Sequence, residues 1–171
     1  FSALLFAFGQ ALQAQLGVPV GLIVGAVGGT PSSYWLSEEM YRGDAACQDM
    51  VKKLSPSYDY EGLTQKYEAD KAKWDADMVE WKRVEAEAKA AGKTPPRAPA
   101  APRPVGKAGE AHSGKIGSLF EILIRPYVGF GIRGVLWDQG ENVSAVAGPS
   151  QHEVMHALIT GWRKVFEQPE L

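Results

Sequence analysis

Phe1, Leu4, Leu5, Phe8, Leu12 and Leu16 recur at helical spacing and predict a first helix with one apolar face. Gly17 is placed to stop that helix, and Pro19 bars its continuation. Residues 18–27 are short and almost continuously apolar, the pattern of a strand buried on both faces of a parallel sheet, closed by Gly28-Gly29-Thr30-Pro31. A second apolar run, residues 132–137, ends at Asp138-Gln139-Gly140-Glu141 and predicts a second buried strand. A short helix near Leu119–Ile124 precedes it, and a helix opening after Pro149-Ser150 follows it. Ser150 and Glu153 have capping-box spacing, while Val154, Leu158, Trp162 and Val165 supply that last helix with a core face.

The middle of the chain has a different character. Over residues 55–91, Leu63, Tyr67, Trp74, Met78, Trp81 and Val84 form a stripe among closely mixed Glu, Asp, Lys and Arg. That pattern predicts one long charged helix, or a helical pair, with a narrow aromatic seam and a solvated remainder. Pro95, Pro96, Pro99, Pro102 and Pro104 follow and read as a stiff, solvated linker. The expected organisation is therefore a first part of one domain at residues 1–44, a charged helical insertion with its Pro-rich linker at 45–110, and the second part of the domain at 111–171. Helices alternating with two strands give an α/β class with a parallel sheet.

Composition narrows the partners more than the fold. With 45% hydrophobic residues the chain is suited to a globular core. Eighteen basic against 20 acidic residues leave a net charge of −2, so nothing global points to nucleic acid or an anionic membrane surface. No apolar run is long enough to span a bilayer. Cys47, the single cysteine, forms no internal disulfide and reads as a buried thiol. The sequence begins at Phe1 inside an amphipathic pattern and stops just after another helix, and so reads as an internal fragment.

In open parallel sheets, ligands bind beyond the carboxyl ends of the strands. The two loops at that predicted edge are Gly28-Gly29-Thr30 and Asp138-Gln139-Gly140-Glu141-Asn142. Paired glycines let backbone N–H groups approach a ligand, and Gln and Asn supply neutral amide donors. Together these are the parts of an oxyanion site, with Glu141 placed to orient a neighbouring group.

These residues resemble a family. Phe1-Ser2-Ala3, the stretch from Leu16 to Ile23, the loop Gly28-Gly29-Thr30-Pro31 followed by Trp35, and Gly134-Val135-Leu136-Trp137-Asp138-Gln139-Gly140-Glu141 are similar to the sialate O-acetylesterase family. Ala157-Leu158-Ile159 with Trp162-Arg163 fits the helix that follows there. The resemblance implies an SGNH-type serine esterase with a three-layer α/β/α flavodoxin-like fold, present in part, acting on acetylated sialic acid or another acetylated glycan. It implies no cofactor or metal and an extracytoplasmic location, periplasmic or secreted. Carried over by position, Gly28 and Gly29 become the backbone oxyanion donors, Gln139 the side-chain donor and Glu141 the supporting acid. Thr30, Trp35 and Asn142 become substrate-binding residues. The family's nucleophile lies in a GQSN-like motif and its histidine in a D-x-x-H motif; neither motif stands within these 171 residues.

Two other classes compete. His152-Glu153-Val154-Met155-His156 fits H-E-x-x-H, which on a helix holds zinc with the Glu as general base. Ile159 and Trp162 occupy the positions where an extended motif of that type has Gly and His. The third class is a non-catalytic carbohydrate-binding or interaction module, in which the helical insertion mediates contacts or the sheet edge binds sugar; Tyr67, Trp74 and Trp81 at helical spacing read as seam packing within that insertion.

Overall fold

The computed structural model describes residues 2–140 and 142–171. Its longer helices form where the periodicity places them. The first, α1 (Ala3–Leu16), is capped by the Ser2 hydroxyl, which accepts from the Leu5 N–H at 3.3 Å. It ends at Gly17, whose φ of 68° closes the last turn by donating to the Gln13 carbonyl. Two short helices follow, α2 (Glu38–Gly43) and α3 (Ala45–Leu54). Asp44 separates them and caps α3 by accepting from the Cys47 N–H at 2.8 Å. Next comes α4 (Tyr60–Ala90), one continuous helix. The last is α5 (Gln151–Val165), opened by the Ser150–Glu153 capping box.

The expected α/β architecture does not form. Among the described residues there is no strand and no sheet, only two isolated bridges, Ala108 with Ala147 and Ala111 with Val146. Residues 18–27 and 132–137 run without helix or strand, and Val18, Ile23, Val24, Val135 and Leu136 are exposed. The physical reason lies in what an apolar run encodes. It records a preference for burial, whereas a strand also needs a neighbouring backbone to complete its ladder. No such neighbour reaches either run among the described residues. Gly21 and Gly25 in the first run, and Gly134 in the second, further weaken a strand by raising the cost of ordering it. The three-layer, flavodoxin-like arrangement is therefore replaced by a helical fold with two unpaired apolar segments.

The core sits where α2, α3 and α5 meet. Leu36, Tyr41, Cys47, Phe120, Val154, Ala157, Leu158 and Trp162 are buried together. Trp162 binds the chain across the core, donating from its indole Nε1 to the Trp35 carbonyl at 2.9 Å. Three tryptophans and a phenylalanine stack in series: Trp35 edge-on to Trp137 at 6.1 Å, Trp137 to Trp162 at 6.5 Å, and Trp162 tilted on Phe166 at 6.4 Å. Such edge-on pairs stabilise beyond their area burial. The expected short helix near Leu119 is a wide turn over Phe120–Ile124 followed by a tight one over Arg125–Tyr127, with Phe120 driven fully inside.

Cys47 is buried, as its isolation suggests, and burial, with Asp44 close by, pushes its thiol up to about 12. Burial likewise pushes the Tyr41 phenol up to about 12. The Tyr41 hydroxyl has no hydrogen-bond partner among the described residues. Removing an unpaired buried hydroxyl deletes a desolvation cost and no bond. Tyr41→Phe is therefore expected to leave stability unchanged or to raise it by about 1 kcal/mol in urea denaturation. A loss of that size instead would reveal a partner for the hydroxyl.

The proline-rich stretch is not a free linker. It folds back along α4, and the seam indoles donate to its carbonyls: Trp81 to Pro96 at 2.9 Å and Trp74 to Pro99 at 3.1 Å. Extended proline-rich backbone makes no internal hydrogen bonds, so its carbonyls are available acceptors. Tyr58 completes the return by donating to the Gly106 carbonyl at 2.8 Å. Ion pairs such as Lys71–Asp75 and Glu80–Arg83 line the rest of the helix, as expected of a solvated charged face.

Candidate functional site

The two loops meet, although no sheet among the described residues carries them. The Asn142 amide donates to the Gly29 carbonyl at 2.6 Å across 113 positions of sequence. Ser32 strengthens the junction, its backbone N–H donating to the Val143 carbonyl at 3.3 Å. Gly29 has φ of 75°, the left-handed region in which a Cβ is strained, so the second glycine of the pair is required by the turn itself. Neither the Gly28 nor the Gly29 N–H donates to another described residue.

Gln139 stands three positions before Asn142. Its Nε2 donates to the Asn142 carbonyl and reaches the Val143 carbonyl at 3.4 Å. Its Oε1 accepts twice, from the Trp137 indole at 3.1 Å and from Gln151 Nε2 at 2.8 Å. Gln151 Oε1 in turn accepts from the buried Ser32 hydroxyl at 2.9 Å. Trp137, Asp138, Gln139, Val143, Gln151 and Met155 line an open cavity of about 390 Å³ beside this network.

The other expected site residues fall as follows. Thr30 bonds inward, its hydroxyl donating to the Val27 carbonyl at 2.8 Å and accepting from the Trp35 indole at 3.0 Å. Trp35 is 6% exposed and belongs to the core, its ring set edge-on to Trp137. Glu141 lies outside the described residues. The structure thus brings together Gly29, Thr30, Trp35, Gln139 and Asn142, with Gly28 adjacent.

Gln151 was not legible as a member of this site. Gln151 stands in the first turn of α5 with its partners 12 and 119 positions away, a separation that no local spacing rule connects. The one local hint is a polar side chain immediately after the Pro149-Ser150 helix start.

The H-E-x-x-H stretch serves other contacts. Glu153 accepts from the Ser150 N–H at 2.8 Å and from its hydroxyl, closing the helix cap, and these bonds hold its carboxyl below the usual range. His156 Nδ1 lies 3.4 Å from Asp44. No group of three or more His, Cys, Asp or Glu among the described residues is arranged to hold a metal ion. No described helix is long and apolar enough to cross a membrane.

Comparisons with protein-family models, with curated proteins and with solved structures found no match to this chain.

Proposed function

We propose that this chain carries the oxyanion-holding side of a carbohydrate O-acetylesterase, an enzyme removing acetyl groups from sialic acid or another acetylated glycan. The observation that carries the reading is the Asn142–Gly29 hydrogen bond, which joins the two loops singled out for that chemistry through the Gly29 carbonyl, while neither glycine N–H donates to another described residue. When a serine attacks an acetyl ester, negative charge develops on the carbonyl oxygen. Preorganised N–H donors lower that barrier because they need no reorientation as the charge appears. Gly28 and Gly29 offer backbone donors. Gln139 offers the side-chain donor: its 3.4 Å contact to the Val143 carbonyl is long and weak, which leaves that N–H available to hydrogen-bond an oxyanion. The open cavity beside Gln139 is the place for the acetyl ester, and its amides suit a hydroxylated sugar.

No GQSN-like or D-x-x-H motif stands within the 171 residues, so in this reading the nucleophile and its base come from outside them. The test is acetyl release from an aryl acetate and from acetylated sialic acid by protein that includes the flanking sequence. Expected is turnover that disappears when the serine of a GQSN-like motif is replaced by Ala. Absence of such a motif, or turnover that survives the replacement, overturns the proposal.

A further inference from the structure

A primary amide has two sides of the same outline and opposite chemistry. Turning it over exchanges a carbonyl oxygen for an NH2 group. Only one orientation of Gln139 aims its donors at the Gly29–Asn142 side. The arrangement around Oε1 selects that orientation. An indole N–H donates and never accepts, so Trp137 Nε1, at 3.1 Å, requires an oxygen opposite it. Gln151 Nε2, at 2.8 Å, supplies a second donor to the same oxygen. With Nε2 committed there, Gln151 presents Oε1 to Ser32, whose buried hydroxyl must donate to it at 2.9 Å. Polarity is therefore set along the whole series from Trp137 through Gln139 and Gln151 to Ser32.

We propose that Gln151 is a positioning residue: by donating to Gln139 Oε1, and held itself by Ser32, it keeps the Gln139 NH2 group turned toward the Gly29–Asn142 loop. The use of that orientation in ester hydrolysis rests on the function proposed above. The positioning does not.

The test compares two substitutions of similar length in the 171-residue chain. Gln151→Lys keeps a donor facing Gln139 Oε1, whereas Gln151→Glu places an acceptor there. An acidic residue in the first turn of α5 also complements the helix dipole, which favours folding of the Glu variant. The readout is the Gln139 side-chain amide in 15N NMR, with nuclear Overhauser contacts to the Asn142–Val143 backbone and the rate of hydrogen exchange. The indole resonances of Trp35 and Trp162 report that the fold is intact. In the Lys variant the Gln139 contacts are expected to persist. In the Glu variant they are expected to be lost and exchange to accelerate about tenfold, the ratio that corresponds to one hydrogen bond. If the Glu variant does not fold, Gln151→Met, which keeps the length without a polar atom, is expected to show the same direction of change. Identical Gln139 spectra in the donor and acceptor variants overturn the proposal, because a side chain that only fills space does not distinguish them. A fixed Gln139 amide combined with full turnover in Gln139→Ala would sink the esterase reading and leave the positioning role standing.

Discussion

Replacing Trp162 with Ala is expected to destabilise the chain by roughly 3–5 kcal/mol, the range for truncating a buried aromatic side chain to Ala. The residue is 6% exposed, lies in the middle of the aromatic series, and touches both Trp137 and Phe166. Its removal opens a cavity between α5 and the Trp35 segment, and it leaves the buried Trp35 carbonyl without the indole donor at 2.9 Å. For a domain of this size each kcal/mol lowers Tm by about 2–4 °C, so the midpoint should fall by roughly 10 °C. Trp162→Phe separates the two contributions, since it keeps most of the ring and loses the N–H; about 1–2 kcal/mol is expected there. Urea and thermal unfolding followed by circular dichroism provide the measurement. A change under about 1 kcal/mol in the Ala variant would mean that the aromatic series does not hold α5 to the core.

In protein that turns over acetyl esters, Gln139→Ala should lower kcat by about two to three orders of magnitude, corresponding to the roughly 3–4 kcal/mol attached to one oxyanion donor. KM should change far less, because the donor acts mainly on charge that exists in the transition state. A change in kcat alone would not exclude distortion of the loop, since Gln139 also bonds Asn142, Trp137 and Gln151. Asn142→Ala is the companion measurement. It removes the amide that ties the loops together at Gly29 and keeps the Gln139 side chain itself. If Gln139→Ala left turnover within a few fold of the parent, its donor role would be refuted whatever happened to Asn142.

What the sequence disclosed was local. Gly17 as a helix stop, Ser150 with Glu153 as a cap, and the Trp74–Trp81 stripe each depend on residues within a turn or two, and each has the expected structure. Partners farther away were hidden. The stripe predicted a seam, yet its complement is a pair of proline carbonyls 25 and 15 positions along the chain. The two apolar runs predicted strands, because hydrophobicity marks a wish for burial without stating whether a backbone lies alongside. At the site, the glycine pair and the Gln139 loop were singled out from residue chemistry, and the structure joins them through the Asn142–Gly29 hydrogen bond. The support from Gln151 was not, because an isolated glutamine has no characteristic spacing and its importance exists only once α5 has been docked.

The return of the proline-rich stretch has a consequence for the rest of the molecule. Tyr58 and Gly106 stand 48 positions apart but meet in one hydrogen bond. To the core, the whole excursion has the reach of a short turn. Loop-closure entropy grows only slowly with length and is met largely by the contacts along α4 itself. The remote bend at Ala91-Gly92-Lys93, exposed and carrying its Gly in the left-handed conformation, is then the natural point for grafting a tag, a fluorophore or a whole foreign domain. An addition there lengthens an arm whose two ends remain pinned at the shoulder.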